Sequence, residues 1–277
     1  ARIGRTAPRR RLAPRFPLHR WISVHWIVQN NVFNEARYQD VQGTLERGKI
    51  PYTTVKVVPF SGELDPEPDV RNPIAVIGGY SLVKAAHRRG WGPGVFYSDQ
   101  IAFPVYAQVY GPDLLNHDAR ICPFGELRLS ERSFIRPTDD SKDFPGMLIE
   151  PGKFEEWRER VCAIQGYATL TAGTEVVVAS VKEIWAEYRF FVVESRIVTA
   201  SRYRLGDVLA ESAEIPPVVM EVAEGYVARW QPDRAFVIDL AVTPDGIKVI
   251  EFNNINSSGW YHADVSRVIQ AIDAIAP

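Results

Sequence analysis

The sequence lacks the features that mark several large classes of protein. It contains no run of about 18 apolar residues, so we predict no transmembrane helix and no membrane partner. It has only two cysteines, Cys122 and Cys162, and they form no CxxC pair. We interpret them as reduced thiols of a cytoplasmic protein, with one disulfide between them as the alternative.

Motifs of several enzyme classes are also missing. The five histidines show no spacing typical of a zinc site. No GxSxG or Cys–His pattern indicates a covalent nucleophile, and no GxxxxGK followed by Ser or Thr indicates a P-loop. The "IGGY" segment at 77–80 lacks the full GxGxxG of a dinucleotide fold, and a tight strand-to-helix turn explains its glycines more simply.

Acidic residues are absent from the N-terminus. The first 20 residues contain seven arginines and no Asp or Glu, whereas the rest of the chain carries 25 Lys and Arg against 34 Asp and Glu. This basic leader has no apolar core of a secretory signal. It is a candidate for a nucleic-acid-binding arm or an organellar targeting sequence. The alternatives are a cloning remnant and a start codon assigned too early, and we favour these two. The acidic remainder argues against nucleic acid as a partner of the main body.

Strand and helix patterns alternate in the first half of the chain. This order predicts a small α/β domain with parallel strand pairing over residues 21–125. The predicted strands are 21–29, 53–60 and 74–80, and the predicted helices are 34–49, with Asn34 as N-cap, and 80–90.

The second half, residues 126–277, has strands joined by hairpins with two helices between them. This pattern predicts an antiparallel sheet of the α+β class, and a polar Glu194-Ser195 tip marks one of the hairpins. The predicted strands are 132–137, 146–150, 174–180, 187–195 and 196–204, and the predicted helices are 154–164 and 216–230.

Two acids lie on a pair of apolar strands near the C-terminus. In "FVIDLAVTPDGIKVIEFNNINSSGWY" (236–261), the Thr-Pro-Asp-Gly turn predicts a hairpin that places Asp239 and Glu251 at comparable depth. Asn253 lies two residues after Glu251 and therefore points to the same face. Neighbouring carboxylates repel each other in a dry sheet. They either share a hard cation such as Mg²⁺, which binds oxygen ligands and nucleotide phosphates, or pair with Arg or Lys at the sheet surface.

Four motifs follow one another in this half: "IRPTDDSKDFPG" (135–146), "EYRFFVV" (187–193), "SRYR" (201–204) and "DLAVTPDGIKVIEFNNINSSGWY" (239–261). In this order they resemble the R2K clade of the ATP-grasp superfamily, and the resemblance covers about residues 130–265. It implies an α+β ATP-grasp fold, in which two subdomains with antiparallel sheets grip ATP. It also implies that residues 21–125 form the smaller α/β domain that precedes this fold.

The resemblance implies ATP and Mg²⁺ as cofactors. Asp239, Glu251 and Asn253 would hold one or two Mg²⁺ ions that bridge the ATP phosphates. Arg136 stands where many superfamily members have lysine, and its guanidinium would grip phosphate bidentately. Lys142 would neutralise phosphate charge as a point cation.

The resemblance also implies roles for a second group of residues. Arg189 would contact the transferred phosphate or the acceptor carboxylate, and Glu187 would orient Arg189 or reach the metal. The strand that ends at Ser180 would offer backbone hydrogen bonds to adenine, with Lys182 and Glu183 near the base or ribose.

Each of these assignments has a simpler alternative. Lys142 and Lys182 are each typical of solvated surface lysines, and Arg189 has a structural salt bridge to Glu187 as a rival role. By composition residues 256–259 form a plain loop, whereas the resemblance makes them a flexible rim near the acceptor. Trp260 and Tyr261 are candidates for simple packing residues.

The function implied by the resemblance is that of an ATP-dependent carboxylate–amine ligase. An acceptor carboxylate would attack the γ-phosphorus of ATP while Arg136, Lys142 and Arg189 spread the developing charge. An amine would then displace phosphate from the acylphosphate and form an amide. The substrates would be small-molecule or peptide carboxylates and amines. A phosphotransferase that uses the same nucleotide site and a nucleotide-binding module without turnover are the alternatives.

Overall fold

The computed structural model describes residues 24–32, 37–59, 61–139, 144–163 and 170–276. The basic leader, Asn34 and Lys142 lie outside these residues. Within them the chain forms one sheet with mainly parallel strands and two antiparallel sheets.

The first sheet confirms the predicted parallel pairing. Its elements are β1 (His25–Gln29), α1 (Tyr38–Gly48), β2 (Tyr52–Val57), β3 (Leu64–Asp65), β4 (Ile74–Ile77), α2 (Tyr80–Arg88) and β5 (Pro93–Gly94). The strand order is β3-β2-β1-β4-β5, and β1 pairs in parallel with both β2 and β4. Trp26 belongs to the same apolar cluster as Leu45 of α1, whereas its neighbour Ile27 belongs to that of Leu82 of α2. Helices thus cover both faces, which explains why every residue of β4 is buried.

A four-stranded antiparallel sheet follows. Its region contains α3 (Phe103–Tyr110), β6 (Arg120–Pro123), β7 (Ser133–Pro137), β8 (Met147–Ile149), α4 (Pro151–Ala163) and β9 (Glu175–Ser180). The strand order is β6-β9-β7-β8, and Phe154 of α4 shares an apolar cluster with Ile135 and Val176 of the sheet. Since β6 precedes residue 126, this sheet takes strands from both sides of the predicted domain boundary.

The third sheet is antiparallel throughout. Its region contains β10 (Ala186–Val193), β11 (Arg196–Leu205), β12 (Val208–Ser212), α5 (Pro217–Arg229), β13 (Ala235–Thr243) and β14 (Gly246–Asn253), and the strand order is β12-β11-β10-β13-β14. Both predicted hairpins are present. Glu194 and Ser195 form the tip of one with φ angles of 47° and 64°, and Gly246 closes the other at φ 106°. The last angle favours glycine, which has no Cβ to clash.

This third sheet is covered on both faces. Phe190 of β10 belongs to an apolar cluster with α3 and α5 residues, whereas Phe191 belongs to a cluster with Trp260 and the C-terminal helix α6 (Val265–Ile275). All eight residues of β10 are consequently buried. A polar side chain on this strand must find a partner inside the protein, because leaving it unpaired costs free energy.

Helix α6 connects this sheet to the first one. Asp264 caps the helix by accepting a hydrogen bond from the Arg267 backbone N–H at 3.2 Å. Further along, Trp26 of β1 donates from Nε1 to Asp273 at 3.2 Å. Trp260 stacks on Phe191 with ring centroids 5.2 Å apart, so its predicted packing role is confirmed.

The prediction of a flexible rim at 256–259 is wrong for its first part. Asn254, Asn256 and Ser258 are buried. The Asn256 side chain accepts from the Phe96 N–H at 2.8 Å and donates to the carbonyls of Val76 and Gly94 at 2.8 and 3.0 Å. Asn residues after a hairpin suggest a solvated loop, but here their amides satisfy backbone groups at the carboxyl end of the first sheet.

Two further observations concern the cysteines and the predicted lack of a transmembrane helix. Cys122 and Cys162 are both free thiols, and Cys162 is exposed. None of the helices in the described part of the chain is both long and apolar enough to cross a membrane.

We predict that Asn256→Ala lowers the free energy of unfolding by about 3 kcal/mol, because three side-chain hydrogen bonds worth about 1 kcal/mol each are lost. Urea unfolding followed by circular dichroism measures this change. Asn72→Ala is the matched control, since Asn72 bonds the backbone of Gly90 and Gly92 on the exposed surface. Equal losses in the two variants would contradict the tethering role of Asn256.

Candidate functional site

A row of polar side chains crosses one face of the third sheet. Arg189 of β10 is paired with Asp239 of β13, and Asp239 is paired with Glu251 of β14. Asn253 lies on the same face and donates from Nδ2 to Glu251 at 3.0 Å and to Asp239 at 3.4 Å. The hairpin therefore brings the two acids and the amide together, as the spacing predicts.

Each acid of this row forms an ion pair with an arginine. Arg189 binds Asp239 through two hydrogen bonds, of 2.9 Å from Nε and 2.7 Å from its terminal nitrogen. Arg136, from the facing four-stranded sheet, donates to Glu251. Of the two predicted solutions to the carboxylate repulsion, the structure thus contains the arginine pairs, but inside the protein rather than at the sheet surface.

Burial changes the ionisation of the central pair. Burial raises the pKa of Asp239 to about 6, although the neighbouring Arg189 charge and hydrogen bonds act to lower it. Burial acts to lower the pKa of Arg189, but the Asp239 charge outweighs burial and raises that pKa. Both groups are therefore charged at neutral pH, and each is the main partner of the other.

Two tyrosines surround the Arg189 guanidinium. Its carbon lies 5.7 Å from the Tyr203 ring centroid and 5.1 Å from that of Tyr261, and the two rings stack on each other at 4.7 Å. Tyr261 has a left-handed backbone with φ 49°, and its carbonyl accepts a hydrogen bond from Arg37 at 3.0 Å. The aromatic rings restrict the guanidinium orientation, a role that sequence reasoning missed although Tyr203 and Tyr261 lie in two of the recognised motifs.

The predicted salt bridge between Arg189 and Glu187 is wrong. Glu187 lies instead 3.5 Å from Arg204 of β11. Alternate residues of a strand share a face, but two residues along β10 are farther apart than the cross-strand pair of Arg189 and Asp239. Burial, followed by the nearby Asp239 and Glu187 charges, raises the pKa of Tyr203 well above its ordinary value.

A cavity of about 580 Å³ lies beside this row, between the two antiparallel sheets. Its lining contains both charged or polar side chains and apolar side chains. Charged and polar lining residues are Asn116, Arg136, Asp139, Ser180, Lys182, Glu187, Arg189, Tyr203, Arg204, Glu251 and Asn253, and apolar ones include Leu115, Phe134, Met147, Leu148, Ile184 and Ile250. Such a volume and such a division suit a ligand with one apolar and one highly charged end.

The end of β9 forms another part of the cavity wall. Ser180 and Lys182 line the cavity, whereas Glu183 is not among its lining residues and accepts a hydrogen bond from Trp185 on the surface. Asp118 accepts from the Ser180 hydroxyl at 2.6 Å and from the Lys182 ammonium at 2.7 Å. These hydrogen bonds lower the pKa of Asp118 although its burial opposes them. Sequence reasoning missed Asp118, which lies in a segment without a recognised motif.

The donors of the row suit a hard cation only in part. Among the residues that the structure describes, no group of three or more His, Cys, Asp and Glu side chains could hold a metal ion. Asp239, Glu251 and Asn253 offer two carboxylates and one amide oxygen, which are ligands that Mg²⁺ accepts. This set is incomplete for six-coordinate Mg²⁺, so it fits an ion that takes its remaining ligands from water and phosphate.

The sequence of the chain is similar to that of a known family of ATP-grasp domains. The chain matches the sequence model of the family described as "ATP-grasp domain, R2K clade family 3" over residues 87–272. The curated protein sequences include no match to the chain.

Solved structures show the same fold. D-alanine–D-alanine ligase from Bacillus anthracis complexed with ATP has a TM-score of 0.62 at 12% identity, covering 92% of this chain and 97% of that chain. The ATP-grasp ligase PsnB complexed with a minimal precursor has a TM-score of 0.53 at 14% identity, covering 91% and 98%. D-cycloserine synthetase DcsG has a TM-score of 0.54 at 14% identity, covering 92% and 100%.

We predict non-additive costs for removal of the central ion pair. Asp239→Ala leaves a buried guanidinium without its carboxylate and lowers the free energy of unfolding by about 3–5 kcal/mol. Arg189→Met costs less, because the remaining carboxyl group can take up a proton. The double variant is more stable than the sum of the single costs implies. Urea unfolding without nucleotide measures all three values, and strictly additive costs would contradict a coupled pair.

Proposed function

The chain belongs to the R2K clade of ATP-grasp domains, and we propose that it is an ATP-dependent ligase that joins a carboxylate to an amine. The observation that carries this proposal is the cavity between the two antiparallel sheets, which Arg136, Arg189, Glu251 and Asn253 line. Asp239 is buried next to this lining, where it binds Arg189 and Asn253. The similar solved structures are ligases by their descriptions. They share the fold with this chain at low identity.

We place the nucleotide in this cavity with its base at the apolar part of the lining and its phosphates at the charged part. The apolar side chains of Phe134, Met147 and Ile250 suit the faces of a purine ring, and the arginines suit phosphate oxygens. Ser180 and Lys182 stand at the end of β9 and would bind near the base or ribose. Glu187 lines the same cavity beside Arg204. The role of Lys142 as a phosphate-binding cation stays a prediction.

Asp239, Glu251 and Asn253 would hold Mg²⁺. When bound, the ion would neutralise phosphate charge and orient the phosphate chain. The carboxylates now pair with Arg189 and Arg136. Phosphate oxygens offer these arginines alternative partners, and the carboxylates that they leave become available as metal ligands. The same side chains would thus pair with one another in the ligand-free cavity and bind phosphate and metal when the nucleotide is present.

The chemical steps need no nucleophile from the protein. An oxygen of the acceptor carboxylate attacks the γ-phosphorus, the bond to the β–γ bridging oxygen breaks, and ADP leaves with the electron pair. Arg136 and Arg189 would stabilise the charge that develops on the transferred group. The amine nitrogen then attacks the acyl carbon, the carbon–oxygen bond to phosphate breaks, and the amine proton passes to phosphate or solvent.

We predict that Asp239→Asn and Glu251→Gln each lower acceptor-dependent ADP release about 100-fold or more, because each would remove a carboxylate ligand of the Mg²⁺ that neutralises phosphate charge. A coupled ADP assay with panels of amino acids and peptides measures this rate. Asp245→Asn is the control, since Asp245 lies exposed in the turn of the same hairpin. Unchanged turnover in the first two variants would refute the metal assignment.

We predict that an acceptor labelled with ¹⁸O in its carboxylate transfers one ¹⁸O atom to the released phosphate. This transfer follows because the acylphosphate keeps the carboxylate oxygen when the carbon–oxygen bond breaks. Mass spectrometry of phosphate and product measures it. A phosphorylated product without free phosphate would instead identify a phosphotransferase, and nucleotide binding without ADP release would identify a binding module.

A further inference from the structure

One cavity residue has a polar side chain that the rest of the structure does not use. Asn116 lines the cavity and is only 5% exposed. Its backbone carbonyl accepts from the Ala119 N–H at 3.0 Å. Its side-chain amide makes no hydrogen bond to any residue between 24 and 276 that the structure describes. Among the residues that the structure describes, the Ser257 hydroxyl is the one fully buried side-chain group without a partner, so the amide of Asn116 is accessible from the cavity, where a ligand can bind it.

The segment around Asn116 spans the two sheets that form the cavity. Leu114 forms a parallel bridge with Val249 of β14, and Leu115 donates from its N–H to the Val249 carbonyl at 2.8 Å. Two residues after Asn116, Asp118 binds Ser180 and Lys182 at the end of β9. Asn116 is therefore held from both sides, next to the strand of Ile250 and near the end of β9.

This place is the part of the cavity where we put the nucleotide base, so the inference rests on the proposed function. Leu115, Ile184 and Ile250 line the cavity nearby and supply apolar contacts for the ring faces. Apolar contacts do not distinguish one purine from another. An amide at the edge of the ring does so, because it presents one acceptor and two donor hydrogens in a fixed plane.

We propose that Asn116 determines the base specificity of the site by hydrogen bonding to the 6-amino group of adenine. Adenine presents this donor next to a ring-nitrogen acceptor, and an Asn amide can satisfy both groups at once. On the corresponding edge guanine presents the two acceptors O6 and N7, of which the amide oxygen can satisfy neither. Asn116 thus favours adenine nucleotides, and Asp118 positions the neighbouring end of β9.

The test is a thermodynamic cycle that removes the Asn116 amide, the 6-amino group of the nucleotide, or both. Isothermal titration calorimetry measures binding of ATP and of purine riboside triphosphate, which lacks that amino group, to the full-length wild type and to Asn116→Leu. We expect wild type to bind ATP about tenfold more tightly than the analogue, as one buried hydrogen bond implies. Asn116→Leu, which keeps the branched shape and the number of side-chain non-hydrogen atoms, should bind both nucleotides with the same affinity.

A second variant separates hydrogen bonding from packing. Asn116→Asp keeps an acceptor oxygen for the amino group, so it should still prefer ATP over the analogue even if its added charge weakens binding of both. The urea-unfolding midpoints of both variants check that they fold. An ATP preference that is the same in wild type and Asn116→Leu would overturn the inference and leave the proposed function intact. If wild type binds neither nucleotide, the proposed function fails, and the inference fails with it.

Discussion

The rest of the site depends on the pairing of buried opposite charges across neighbouring strands. Asp239 is 1% exposed, and its carboxylate is held bidentately by Arg189. A charge at such depth is tolerated only with a partner of opposite sign and good geometry. Arg136, from the facing sheet, forms an ion pair with the partly exposed Glu251, so the two antiparallel sheets are linked across the cavity by charge as well as by packing.

This arrangement is possible because the central strands β10 and β13 of the third sheet are almost entirely buried. Apolar residues fill most of both faces of these strands, and the polar row from Tyr203 to Asn253 crosses one face beside the cavity. The side-chain amides of Asn254 and Asn256 extend the row towards the first sheet by donating hydrogen bonds to the backbone carbonyls of Phe96, Val76 and Gly94. The end of the β13–β14 hairpin is therefore anchored in a different sheet, which makes the position of Asn253 depend on more than its own sheet.

Much of the secondary structure was predictable, since strand alternation and turn residues are local signals. The hairpin at 243–246 and the Glu194-Ser195 tip are examples. Helix α3 was not predicted, because its apolar and aromatic residues show no polar face in "FPVYAQVY". Helix α6 had a usable signal in the Asp264 cap and the spacing of Val265, Val268, Ile269 and Ile272. The pairs β10–β11 and β13–β14 follow from their hairpin turns, whereas the pairs β10–β13 and β6–β9 join segments distant in the chain and leave no local trace.

The sequence by itself determined that Asp239, Glu251 and Asn253 share a face, because the side-chain period of a strand is two and the turn sets the register. It also determined the family through the order of its motifs. Only the tertiary structure decided which arginine neutralises which acid, that Glu187 pairs with Arg204, and that Asn116 borders the cavity. Those partners come from segments distant in the chain, and their contacts depend on how three sheets pack rather than on any local pattern.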